Sequence, residues 1–192
     1  MDVSGKKIGF CITGSFCTFD KTLSGMIDLV NNGADVFPIF SYVVATTDTR
    51  FAVASEFKSK VEKISGKKVM DSIVEVEPLG PRKLIDVMVI APCTGNTLAK
   101  LINGITDTPV LMAAKGQLRN QRPVVLSIST NDALGNNAKN LGLAINTKNI
   151  YLVPFRQDDP LTKCNSVIAD MDKLIDTIIF AMNGKQIQPV II

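Results

Sequence analysis

The sequence predicts a doubly wound, Rossmann-like α/β domain: a parallel sheet of about six strands with helices on both faces. Three observations carry that expectation. Short apolar runs such as KIGFCIT from Lys7, DVMVIA from Asp86 and VVLSIS from Val124 are continuous rather than alternating, the mark of strands buried on both faces. Segments of helical period separate them. The 192 residues, 46% of them apolar, suit one buried core, so residues 1–192 are expected to form a single domain.

Taken in order, Lys7–Thr13 is the first strand, ending in the turn Gly14, Ser15, Phe16, Cys17, Thr18. Phe19–Asn32 follows as a helix, with Leu23, Met26, Ile27 and Val30 on one face and Gly33 as its stop. Val36–Phe40 is the second strand and Ser41–Asp48 a hydroxyl-rich loop; Arg50–Ser65 is the second helix, turning Phe51, Ala54, Phe57, Val61 and Ile64 inward, and Gly66 closes it. Ile73–Val76 reads as a short third strand before a loop marked by Pro78, Gly80 and Pro81. Asp86–Ala91 is the next strand; Pro92 stops it, and a helix runs from about Thr97 to Asn103. Thr108-Pro109 resembles a cap with proline in the first turn, which favours a helix over Pro109–Gln117, although Val110–Ala114 fits a short strand equally by periodicity. Val124–Ser129 is the fifth strand, followed by Thr130, Asn131, Asp132 and a helix over Ala133–Leu141. Ile150–Pro154 is the sixth strand, and Ser166–Met182 closes the chain as an amphipathic helix with Ile168, Met171, Ile175, Ile178 and Met182 inward. The apolar tail Gly184–Ile192 is expected to pack against a neighbour or a second protomer.

Composition removes several functions. There is no histidine, so Ser-His-Asp catalysis is excluded and the commonest metal ligand is missing. Cys11, Cys17, Cys93 and Cys164 form no CxxC pair, which indicates reduced thiols rather than zinc or a disulfide framework. A net charge of +3 from 21 basic and 18 acidic residues, without a basic run, argues for neither nucleic acid nor a membrane surface. No apolar run has the length of a membrane span and MDVSGKKIGF lacks the pattern of a signal peptide, so a cytoplasmic protein is expected.

The turns that follow the strands carry the chemistry. Neither GxGxxG nor GxxxxGK[ST] occurs, which disfavours a dinucleotide or a nucleoside triphosphate. One glycine, Gly14, flanked by Thr13, Ser15 and Thr18 suits a single phosphate monoester, and Ser41, Thr46 and Thr47 after the second strand complete such a cradle from the side. Each hydroxyl taken alone reads equally as a helix cap. At the end of the Asp86 strand, Cys93, Thr94, Gly95, Asn96 and Thr97 bring small polar side chains to a helix N-terminus; Cys93 is there either an activated thiol or a buried inert one.

The segment Ala91–Lys100 (APCTGNTLAK) and the Gly14-Ser15-Phe16 turn resemble the FMN-binding flavoprotein family that includes phosphopantothenoylcysteine decarboxylase, the lantibiotic cysteine decarboxylases and the flavin prenyltransferases. The resemblance implies an FMN site. It assigns Gly14, Ser15 and Phe16 to the first turn and Ser41 to the second, places Pro92, Thr94, Asn96 and Thr97 beside the ribityl chain and ring, with Cys93 among them, and sets Ser129, Thr130 and Asn131 near the ring. The decarboxylases' catalytic histidine has no counterpart, and STNDALGNNAKN replaces their substrate-clamp PxMN segment. Within the family, TDTPVLMAAKGQLRN, the STNDALGNNAKNLG run and IYLVPFRQDDPLTKCNS are similar to the B-subunit branch of the dipicolinate synthases of spore-forming bacteria. That branch implies oxidation of a hydroxytetrahydrodipicolinate precursor to dipicolinate in the mother cell during sporulation. It further implies a partner, the A subunit of dipicolinate synthase, that carries NAD(P), and a homo-oligomer built on trimers. Asn131, Asn136, Asn137 and Lys139 are candidate donors for a dicarboxylate substrate, with Lys115 and Arg156 more distant; the asparagines read equally as turn and cap residues. A flavin-dependent decarboxylase and a non-catalytic protein with a vestigial flavin site that only holds its partner stay open as alternatives.

Overall fold

A computed structural model describes residues 2–192. Its frame is a seven-stranded sheet. The strands β1 (Lys7–Ile12), β2 (Asp35–Phe40), β3 (Val87–Cys93), β4 (Val124–Thr130) and β5 (Ile150–Leu152) run parallel in the order β2-β1-β3-β4-β5. Every residue of β3 and all but the last of β4 are buried, including the polar Ser127 and Ser129 of β4, which places both strands between two covered faces. Chain order reverses between β1 and β3, the point in an open α/β sheet where adjacent loops diverge and leave a crevice.

The helices cover both faces. On one lie α1 (Phe19–Asn31) and α8 (Leu174–Met182); on the other lie α5 (Gly95–Ile102), α6 (Pro109–Arg119) and α7 (Ala138–Asn146). The short helix α2 (Tyr42–Thr46) and α3 (Ala54–Ser65) lie beside β2, and an aromatic stack of Phe19 on Phe57 (4.2 Å) and Phe40 on Phe57 (5.6 Å) fastens α3 to α1 and the sheet. Such pairs add roughly 0.5–1.5 kcal/mol beyond the area they bury. Helix α6 resolves the ambiguity at Pro109: Thr108 accepts the Leu111 N–H at 3.3 Å, and the residues facing inward, Val110, Leu111, Ala113, Ala114 and Gln117, follow helical spacing.

Several expectations are corrected: the Ser41–Asp48 loop holds the short helix α2, and the second helix starts at Ala54 rather than Arg50. Ile73–Val76 is the helical turn α4, not a strand, because Ser72 Oγ accepts the Glu75 N–H at 3.3 Å while the Glu75 carboxylate accepts the Ser72 N–H at 3.0 Å, a reciprocal cap. Strand β3 runs through Pro92 to Cys93, with its register against β4 shifting between Ile90 and Cys93. Helix α7 starts at Ala138, not Ala133, since the backbone from Asn131 to Asn137 folds around Asp132 instead. The last expected helix, Ser166–Met182, contains a strand: β6 (Phe155–Asp159) and β7 (Lys163–Ala169) form an antiparallel hairpin, and only Leu174–Met182 is α-helical. Asp159 Oδ1 accepts the N–H groups of Leu161 and Thr162, both at 3.1 Å, which closes the reversal. Strand β4 therefore pairs with β5 along its first half and with β7 at Ser129 and Thr130, making the sheet mixed at that end. Of the residues expected inward, Ile27 and Phe51 are exposed, and Leu29 takes the core position on α1.

The tail docks on its own chain. The Phe155 N–H donates to Val190 O and the Ile192 N–H to Phe155 O, each at 3.0 Å, and Gln186 both donates to and accepts from the Leu152 backbone at 2.7 Å. None of the helices in the described residues is long and apolar enough to cross a membrane.

Candidate functional site

At the carboxyl edge of the sheet one threonine joins two loops. Thr13, at the end of β1, donates through Oγ1 to Pro92 O at 2.6 Å and accepts the Thr94 N–H at 3.1 Å. The Ser41 N–H donates to Ile12 O at 3.1 Å, which draws the end of β2 to the same place. Gly14 follows directly: a Cβ there would meet Val43 Cγ1 at 3.0 Å, so this first turn passes too close to α2 to carry a side chain comfortably. Phe16 packs on Phe19 at 5.2 Å and anchors the turn to the start of α1. Ser15 Oγ lies 2.8 Å from Ser129 Oγ, at the end of β4. In a pair of hydroxyls sharing one hydrogen bond, one O–H proton stays free to donate outward.

The loop after β3 is a capped helix start. Thr94 Oγ1 accepts the Thr97 N–H at 3.2 Å and donates to Thr97 Oγ1 at 3.0 Å, which fixes the N-terminus of α5. Asn96, one position beyond Gly95, is exposed.

Ser41 is the anomaly. Among the described residues its Oγ is the buried side-chain polar atom without a hydrogen-bond partner, with the residue 8% exposed. A buried polar group left unpaired costs about 1–3 kcal/mol. Through its N–H on Ile12 O the same residue is tied to the end of β1, where the Gly14 turn begins. An anion with several acceptor oxygens satisfies this donor set of one orphan hydroxyl and one shared hydroxyl proton, to which the Ser15 N–H does not add because it donates to Thr13 O at 2.8 Å. The residues therefore fit a phosphate monoester.

The loop after β4 has similar residue types and a different construction. Thr130 Oγ1 donates to Asp132 Oδ1 at 2.5 Å, Asn137 Nδ2 to Asp132 Oδ2 at 2.7 Å, Asn140 Nδ2 to Asn137 Oδ1 at 2.8 Å, and Asn103 Nδ2 to Asn140 Oδ1 at 3.3 Å. The network closes on Gly95. A Cβ there would lie 2.6 Å from Asp132 Oδ1, 2.6 Å from Thr130 Oγ1 and 2.8 Å from Asn137 Nδ2, so the start of α5 is seated against this loop and needs a residue without a side chain.

Of the residues named from sequence, Gly14, Ser15, Phe16, Ser41, Pro92, Thr94, Thr97, Ser129 and Thr130 meet at this edge, with Asn96 and Asn131 exposed beside them. Others stand apart. Thr46 is exposed and its hydroxyl donates to Tyr42 O at 2.9 Å within α2. Cys93 is fully buried in the core, and burial pushes its thiol up to about 12, so it is inert rather than activated by the helix N-terminus. Cys11 is also buried and its thiol is raised, first by desolvation and then by Cys93. Asn137 is 8% exposed with both ends of its amide engaged, which removes it as a substrate donor; Asn136 and Lys139 are exposed beyond it. Asp132, Asn140 and Gly95 were not singled out, although the density of Asn and Asp in STNDALGNNAKN was a signal of a self-bonded turn.

Residues 1–184 match the family model described as Flavoprotein. The chain is 51% identical over 190 residues to the B subunit of dipicolinate synthase from Bacillus subtilis (strain 168), covering 99% of this chain and 95% of that protein. It superposes on the crystal structure of the dipicolinate synthase B subunit from Bacillus halodurans with a TM-score of 0.92 at 49% identity, over 100% of this chain and 98% of the other. The FMN-dependent cysteine decarboxylase SpaF, at 14% identity and a TM-score of 0.66 over 94% of this chain and 98% of its own, shares the fold. This chain belongs to the Flavoprotein family.

Proposed function

We propose that this chain is the FMN-binding B subunit of a dipicolinate synthase, which acts with the synthase's A subunit, the carrier of NAD(P), in the cytoplasm of a spore-forming mother cell. The observation that supports the cofactor half of this reading is the unpartnered, buried Ser41 Oγ, on a residue whose N–H is tied to Ile12 O at the end of β1. The reaction half rests on relatives at 51% and 49% identity whose names state it, matched along nearly the full length of both chains. Homo-oligomers built on trimers belong to the same reading.

In this reading Gly14, Ser15 and Ser41 hold the phosphate, and Asn96, Thr97, Ser129 and Asn131 border the ribityl chain and ring. Bound FMN would supply a two-electron acceptor for a precursor that loses water and two hydrogens to become an aromatic pyridine dicarboxylate. The chain's own residues orient and exclude. Thr13 holds the first and third loops at one spacing, the Asp132 network sets the start of α5, and Phe16 closes the turn toward the core.

The test is reconstitution. Flavin-loaded protein, with and without its partner, is mixed with freshly generated hydroxytetrahydrodipicolinate and dipicolinate is followed by its ultraviolet absorbance. Product formed with both proteins present, and lost when FMN is stripped, is the expected result. Equal rates from stripped protein would assign the chain a non-catalytic role, and release of carbon dioxide instead would return it to the decarboxylases.

A further inference from the structure

A groove of about 210 Å³ runs between α1 and the β6–β7 hairpin, lined by Lys21, Asp28, Arg156, Ile168, Asp170 and Asp172 and floored by Met171. That volume equals roughly seven waters at liquid density, enough for a small organic acid. Neither the Lys21 ammonium nor the Arg156 guanidinium makes an ion pair or a side-chain hydrogen bond among the described residues, although three carboxylates line the same groove.

The charges are sorted along its length. Lys21 stands in the first turn of α1, and Asp28 lies two turns further on, about 10 Å away at 1.5 Å per residue. On the opposite wall Arg156 pairs with Ile168, and the chain then runs through Ala169 to Asp170 and Asp172, away from the carboxyl edge of the parallel strands. The cations thus occupy the end nearest the candidate site and the carboxylates the far end. Ile168 is also the register partner of Ser129, so Ser129, Ile168 and Arg156 form one row on one face of the sheet, spanning about 10 Å at the usual strand spacing. A second, water-sized cavity of about 10 Å³ shares Lys21, Ile168 and Met171 with the groove and is also lined by Pro92 and Ser129, the latter paired with Ser15.

We infer that the cationic end of this groove binds the two carboxylates of the substrate, with Lys21 and Arg156 as the recognising residues. The inference rests on the reading of the chain as part of a dipicolinate synthase, to which it adds a place for the dianion. Arg156 offers a planar fork to one carboxylate and Lys21 a point charge to the other, while the carboxylates at the far end hold the dianion at the end next to Ser129.

Isothermal titration of the full chain with pyridine-2,6-dicarboxylate in metal-free, low-salt buffer tests this, with FMN binding measured in parallel. Lys21→Met and Arg156→Met are each expected to weaken the dicarboxylate at least 10-fold, Lys21→Arg to keep most of the affinity, and pyridine-2-carboxylate to bind the unaltered protein at least 10-fold more weakly. FMN affinity stays unchanged in all three variants. Dicarboxylate binding that ignores both Met substitutions, or that is absent from protein that binds FMN normally, overturns the inference and leaves the cofactor reading intact. Groove binding that follows the predicted pattern in a protein indifferent to FMN supports the inference and counts against the flavin.

Discussion

Two loops at the same edge of the sheet are built from the same few residue types and do opposite things. Around Gly14, Ser15 and Ser41 the side-chain hydrogen bonding is incomplete: the Ser15 and Ser129 hydroxyls share one bond, and Ser41 Oγ is buried without a partner. Around Asp132 each side-chain oxygen of the carboxylate has its own donor, and the asparagines behind it bond to one another as far as Asn103. The first loop leaves a hydrogen-bonding group unused; the second uses its own. Residue type alone does not tell these two constructions apart, whereas hydrogen-bond completion does.

Substitutions can break this contrast, and the largest effect belongs to the complete loop. Gly95→Val should destabilise the protein by about 3 kcal/mol, because its side chain would enter the space held by Asp132, Thr130 and Asn137; urea denaturation measures it. Asp132→Ala should cost about 2 kcal/mol by the same measurement, since it leaves the Asn137 amide and the Thr130 hydroxyl without their charged acceptor. Ser41→Ala is the smallest and differs in sign. Removing an unpartnered hydroxyl should leave the free protein as stable as before or more stable by up to about 1 kcal/mol, while FMN affinity falls roughly 10-fold. A Ser41→Ala protein destabilised as much as Asp132→Ala would erase the distinction between the two loops.

The parallel core was legible because β1, β3 and β4 are mostly apolar without regular alternation and α1, α3 and α6 carry caps, glycine stops or helical stripes. The β6–β7 hairpin was not, because Ile168 and Met171 happen to continue the spacing of Ile175 and Ile178, while Asp159-Pro160, a local turn signal, marks the reversal. Ile73–Val76 was misread although Ser72 and Glu75 spell a reciprocal cap, since four apolar-rich residues suit a strand equally well. In the site, hydroxyls at strand ends were legible from turn chemistry. The direction of each side chain was not: Cys93, which ends strand β3 rather than lying in the loop after it, is buried in the core, and the Asn137 amide donates to Asp132.

Equilibrium titration of the purified chain with FMN against riboflavin tests the proposed phosphate cradle at the ends of β1, β2 and β3 most directly, because the two ligands differ only in the phosphate. FMN should bind at least 100-fold more tightly, and Ser41→Ala should narrow that gap. Equal affinity for the two, or a gap untouched by the substitution, would contradict it.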